Sequence, residues 1–168
     1  EPEAHGLLSL MELQASRFKA RAAPDGSALT LETQNRGLWD RLLIQRGLAG
    51  LATVGKLGGA DGVYALQAAL AAVHARAARF ADTDWGMSAA LYDRLLERSP
   101  SPVVALNRAV AHAMASGPEV GLALLAEPLL PIKPPMCEVP DTEPVEKLLV
   151  IKPELLPTSP PSVPLLAE

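Results

Sequence analysis

The side chains able to do chemistry in this chain are few and scattered. Histidine occurs at His5, His74 and His112, and the single cysteine is Cys137. None of them pairs with Cys, Asp or Glu at the spacing of a metal site. Cys137 lies in a proline-rich stretch with no helix N-terminus or basic neighbour to favour a thiolate, so it reads as an inert thiol. Asp82-Thr83-Asp84 offers two carboxylates, a pattern that would suit acid–base or metal work. It stands just before a helical segment, where acidic side chains satisfy free N–H groups and complement the helix dipole, and that plainer role is preferred. The glycine-rich turns "KLGG" and "GADG" lack the strand–GxxxxGK[ST]–helix setting of a phosphate loop. "SGP" is not a nucleophile elbow. No catalytic constellation, metal site, cofactor or small-molecule ligand is identified, and the chain is not read as an enzyme.

Other polar and aromatic residues stand out by position. Asp40 projects between Leu43 and Ile44, with Arg36 one helical turn before it and Trp39 beside it. Arg36, Trp39 and Asp40 are therefore the candidate contact with another domain, set against the simpler reading of Asp40 as an acid near a helix N-terminus. Gln67 and His74 share one stripe with Tyr64 and Ala71. Small alanines there would let another helix approach, and Gln67 and His74 would line the groove between. Trp85, Ala89 and Tyr92 match the first-helix spacing of a tetratricopeptide unit, although Ser88 stands where that pattern wants Leu. Trp85, Tyr92 and Asn107, the last expected as an orienting buried hydrogen bond, are assigned to packing of that helix pair.

Six segments must position these side chains. The first spans residues 3–19, with Leu7, Leu8, Met11 and Phe18 at helical spacing. Pro24-Asp25-Gly26 makes a turn, and "LTLET" has no strand partner and reads as loop. The second helix is expected over 37–55 with Asn35 as N-cap. Its apolar residues lie on two sides, which predicts a central position. The third spans 63–80. The fourth starts at Trp85 after "ADTD", and "SPSP" ends it and starts the fifth, since proline at a first helical position costs no hydrogen bond. "SGP" separates the sixth, "EVGLALLA". The expected fold is an all-α array of about six helices, tetratricopeptide-like over 84–126, with an irregular proline-rich tail.

Composition supports this division. Hydrophobic residues make up 49% of the 168 residues and aromatics only 4%, so Leu, Ala, Val and Ile must build the core. The six aromatics all lie between Phe18 and Tyr92, whereas 11 of the 16 prolines fall in 128–168, a density that breaks helix and sheet. The boundary is placed at 127. With a net charge of −4 and no basic run, the chain carries no electrostatic footprint for nucleic acid. No apolar run is long enough for a membrane span. One cysteine excludes an internal disulfide framework and fits the cytoplasm. Starting at Glu1 without a signal-peptide pattern, the chain reads as an internal piece or a trimmed form of a longer protein.

Six ordered blocks add a resemblance. "LMELQASR" (10–17), "WDRLLIQRGL" (39–48), "YALQAALAAVHARA" (64–77), "DTDW" (82–85), "ALYDRLL" (90–96) and "SPSPVVALNRAVA" (99–111) resemble the C-terminal extension of a group of bacterial extracytoplasmic-function sigma factors, over roughly residues 1 to 126. The resemblance implies a helical extension that follows two sigma modules. In such proteins those modules bind core RNA polymerase and read promoter DNA, and the extension modulates their activity by protein contacts. The partners implied are the sigma modules and core RNA polymerase, through the full-length protein. This chain holds neither module, so no specific DNA binding is expected of it alone. Two departures are visible. Asn35 stands where the family tends to carry an acid, and after the sixth helix "EPLLPIKPPMCEVP" replaces further helical sequence. Residues after about 127 are therefore expected to derive from a frameshift, truncation or unrelated fusion, with "PVEKLLVI" (144–151) the one segment expected to be ordered. The alternative is a free-standing helical-repeat adaptor that binds a peptide or protein.

Overall fold

Helix α1 (Pro2–Ala15) begins with proline in its first turn, and the chain then runs through a short 3-10 turn at Phe18–Ala20 and an irregular loop to a second 3-10 turn at Arg36–Leu38. Five more helices follow: α2 (Arg41–Lys56), α3 (Val63–Arg76), α4 (Trp85–Arg98), α5 (Pro102–Ser116) and α6 (Pro118–Ala126). This computed structural model describes residues 1–126. The tail 128–168, with Cys137 and the 144–151 segment, lies outside the described residues. Among the described residues no strand forms, and one isolated antiparallel bridge joins Ala22 to Ala28. The described residues are all-α, an array of six helices, and none of these is long and apolar enough to cross a membrane.

Local chemistry sets most helix ends. The Asp84 carboxylate accepts from the Met87 N–H at 2.9 Å and starts α4; the Ser101 hydroxyl accepts from the Val104 N–H at 3.2 Å and starts α5, with Pro102 at the first helical position. Gly117, at φ 109°, separates α5 from α6 in a conformation that side chains resist. The turn at Pro24-Asp25-Gly26 is closed by Asp25, which accepts from the Ser27 N–H and hydroxyl.

α3, rather than α2, is the central helix. Ala65, Leu66, Ala68, Ala69, Leu70, Ala72 and Val73 are all buried, and α1, α2 and α4 pack around it. The expectation for α2 fails because Trp39 and Asp40 are extended, at ψ 132° and 108°, so residues 37–40 do not belong to that helix. Leu38 and Leu42 then lie on the surface, and Leu48, Leu51 and Val54 carry the packing. α3 also stops four residues early, because Ala77 turns extended.

The buried face of α1 differs from its apolar stripe. Leu7, Leu8, Met11 and the following Phe18 are exposed, while Gly6, Ser9, Glu12, Leu13 and Ser16 face inward. Small residues win because they allow close approach. A side chain at Gly6 would start 2.9 Å from the Ala65 nitrogen of α3, and one at Gly47 of α2 would start 2.7 Å from Leu13 Cγ. The Ser9 and Ser16 hydroxyls donate to the His5 and Leu13 carbonyls of their own helix, so neither is buried without a partner. Buried Glu12 pairs with Arg46 at 2.7 Å and ties α1 to α2.

At the other end, Ser99–Ser101 turn the chain between α4 and α5. Asp93 accepts from Arg108 Nε at 2.5 Å and lies 3.1 Å from His112 Nε2, joining the two helices. α6 packs on α5 through Gly121, where a side chain would meet the Ala109 carbonyl oxygen at 2.7 Å.

Candidate functional site

Arg36 enters the core side of the array from its 3-10 turn. Its Nη1 donates to the carbonyl oxygens of His74 and Ala77, the latter at 3.0 Å, and so closes the C-terminal end of α3. A cation is favourable there, where carbonyl groups lack helical partners. The guanidinium carbon lies 4.6 Å from the centre of the Trp39 ring, and that of Arg17 lies 5.6 Å from the same ring. Both are cation–π contacts, and desolvation strengthens them. Trp39 is 5% exposed, so the indole is a packed floor beneath two arginines rather than a free surface side chain.

The expected Arg36–Asp40 pair is not formed. Asp40 is the N-cap of α2, its carboxylate accepting from the Leu42 and Leu43 N–H groups at 3.0 and 3.1 Å. Those donors hold the side chain at the helix start, away from Arg36. Asn35 caps only the short turn, accepting from the Gly37 N–H. Asp40→Ala is expected to cost about 1 kcal/mol, as loss of an N-cap usually does. Urea denaturation checks this, and an unchanged midpoint would contradict the assignment.

His74 belongs to the same cluster. Its ring meets Trp85 edge-on at 5.5 Å, and Trp85 meets Phe80 at 5.4 Å in the same manner. Burial, and then the Arg17 and Arg36 cations, hold its pKa down to about 4 from an ordinary 6.5, so the imidazole is neutral. Burial and the neighbouring cations also lower the pKa of Arg17. Trp85 thus bridges α4 to α3, and Tyr92, half-buried against the core, has its phenol pKa raised by desolvation. Gln67 is half-buried on α3. Asn107 is exposed on α5 and makes no side-chain hydrogen bond among the described residues, which overturns its expected buried role; the helix turns that position toward solvent.

Sequence reasoning linked Arg36 to Trp39 but missed Arg17 and separated His74 from both. Arg17 donates to Gln14 Oε1 at 2.5 Å, and Arg21 to the same oxygen at 2.6 Å. A local signal existed in the 17/21 spacing, but nothing local indicates that Arg17 folds back over Trp39. Beside the cluster lies a cleft of about 380 Å³ whose lining includes Glu32, Gln34, Arg36, Gly37, Arg79 and Phe80. Asp82, on the short turn after α3, is held by Arg79 at 2.7 and 2.9 Å. Among the described residues no group of three or more metal-ligating side chains is present.

Residues 1–55 match a family of unknown function, DUF6596. The chain is also similar to the uncharacterized protein R00370 of Rhizobium meliloti (strain 1021), 46% identical over 129 residues, which is 77% of this chain. It spans 30% of the length of that protein. The aligned length extends the similarity well beyond the family match and leaves most of the relative outside it. No solved structure matches the chain.

Proposed function

We propose that this chain is the regulatory and interaction extension of an extracytoplasmic-function sigma factor, acting in the cytoplasm in transcription initiation through protein contacts and not as an enzyme. One structural observation supports a contact role above others: among the described residues, apolar helix faces are left exposed. On α5, Val103, Leu106, Val110 and Met114 recur at helical spacing and are 47–68% exposed, and Leu122 and Leu125 of α6 are exposed as well. Exposed stripes of this kind mark protein-contact surfaces in soluble proteins. The hairpin of α4 and α5, with Ala89 buried between Trp85 and Tyr92, suits a tetratricopeptide-like unit, which leaves a face for its neighbour. The partners on this reading are the sigma modules and core RNA polymerase.

A pull-down of this chain with the isolated sigma modules and with core polymerase tests the proposal. Binding to at least one is expected, and Leu106→Glu with Val110→Glu should weaken it roughly tenfold or more, because a charge is then forced into an apolar contact. No binding to either at high micromolar concentration would sink the reading.

A further inference from the structure

We propose that the Arg17–Trp39–Arg36 cluster is a carboxylate-recognition site that takes an acidic side chain from a protein segment. The inference rests on the reading of this chain as a protein-contact module, and it adds the chemistry of the partner. Two guanidiniums share one indole floor, with Arg21 close behind. Among the described residues no carboxylate is ion-paired with Arg17, Arg21 or Arg36. The carboxylate acting on Arg36 is Asp82, and both of its oxygens are engaged by Arg79. Partly buried cations with no carboxylate in direct contact are rare, because desolvation and mutual repulsion act against them together.

The donors point to the same ligand. The end of α3 accounts for Arg36 Nη1, but Arg36 Nη2 and Trp39 Nε1 are sealed from solvent with no hydrogen-bond partner. Buried donors in native proteins are nearly always paired. The Gln34 side-chain oxygen, on the cleft that Arg36 also lines, is likewise buried and unpaired. A guanidinium fork and an indole N–H suit a planar acceptor with two oxygens, which a carboxylate is. Glu32 in the cleft lining and Asp82, which acts on Arg36, disfavour a more highly charged anion such as phosphate.

The test uses the full chain and an acetylated, amidated hexaglutamate peptide, with a neutral Gly/Ser peptide of equal length and inorganic phosphate as the other arms. The readout is the Trp39 indole Nε1–H resonance, assigned by its loss in Trp39→Phe. The glutamate peptide is expected to shift this resonance saturably, and the neutral peptide is not. Arg36→Gln should weaken the effect roughly tenfold or more, the usual consequence of losing a charged hydrogen bond. Arg17→Gln, which leaves the α3 end contacts in place, should do the same. Absence of a saturable shift, binding by both variants as tight as by wild type, or a response to phosphate but not to peptide would each overturn the site. If the sigma modules bind wild type and Arg36→Gln equally, the site fails while the functional reading stands. Peptide binding without any pull-down supports the site and overturns that reading.

Discussion

Gly6→Val is expected to lower folding stability by about 3 kcal/mol, which for a domain of this size is roughly 10 °C in Tm. In an isolated helix, replacing glycine with valine would be neutral or slightly favourable, because glycine is a poor helix former. Packing reverses the sign. A Cβ at position 6 would lie 2.9 Å from the Ala65 nitrogen and 3.3 Å from the Ala65 Cα, and backbone atoms cannot yield as the tip of a side chain can. α1 would have to lift off α3 and open the contacts of buried Ser9 and Leu13. Gly86→Ala is the matched control. Its Cβ would meet only Asp84 Oδ1, at an ordinary 3.6 Å, so stability should hold or rise. Thermal unfolding of both variants decides the matter. Equal losses would show that the α1–α3 contact is not closely packed, and an unaffected Gly6→Val would remove the account of why α1 buries its small face.

His74 sets the second large effect, on the pH dependence of stability. Its pKa is about 4 in the folded protein and near 6.5 when unfolded. Between these values the unfolded chain takes up a proton that the folded protein refuses. The stability contributed by neutral His74 is therefore full above about pH 6.5, falls as pH drops toward 4, and is flat below. The loss is about 3 kcal/mol, since each tenfold difference in proton affinity between the two states corresponds to about 1.4 kcal/mol. His74→Gln should flatten the urea-derived stability profile across that window, whatever its effect at neutral pH. Parallel profiles for wild type and variant would show that His74 is not held neutral by burial and by Arg17 and Arg36. Raised salt should soften only the part due to those two cations, because screening acts on charge–charge interaction and not on desolvation.

Much of the helical framework was legible because its signals are local. Asp84, Ser101 and Pro102 act on N–H groups within three residues, so their roles as caps and helix starts follow from spacing alone. The Pro24-Asp25-Gly26 turn is of the same kind. Legibility failed where two local signals competed. Asn35 and Asp40 are both good caps, and the chain uses both, one for a short turn and one for α2. Choosing Asn35 as the single start placed Trp39 inside a helix and made Asp40 available for a pair with Arg36. α1 failed for a different reason. Leu7, Leu8 and Met11 make the stronger periodic pattern, yet burial follows Gly6, Ser9 and Leu13, because these permit the approach of α2 and α3.

The candidate site divides along the same line. Arg36 and Trp39 were visible as neighbours in sequence, three residues apart. Their union with Arg17 and His74 was not, since the decisive hydrogen bonds join Arg36 to residues 38 and 41 positions away. By itself, then, the sequence determined an all-α chain, the number of helices in residues 1–126 and most of their ends, because capping, proline and glycine act over one turn of backbone. Only the tertiary structure decided that α3 is central, which face of α1 is buried, and that two arginines meet over one indole with no carboxylate among the described residues ion-paired to either. Those outcomes depend on how closely distant backbones can approach and on which charges are desolvated together, and neither is written in local periodicity.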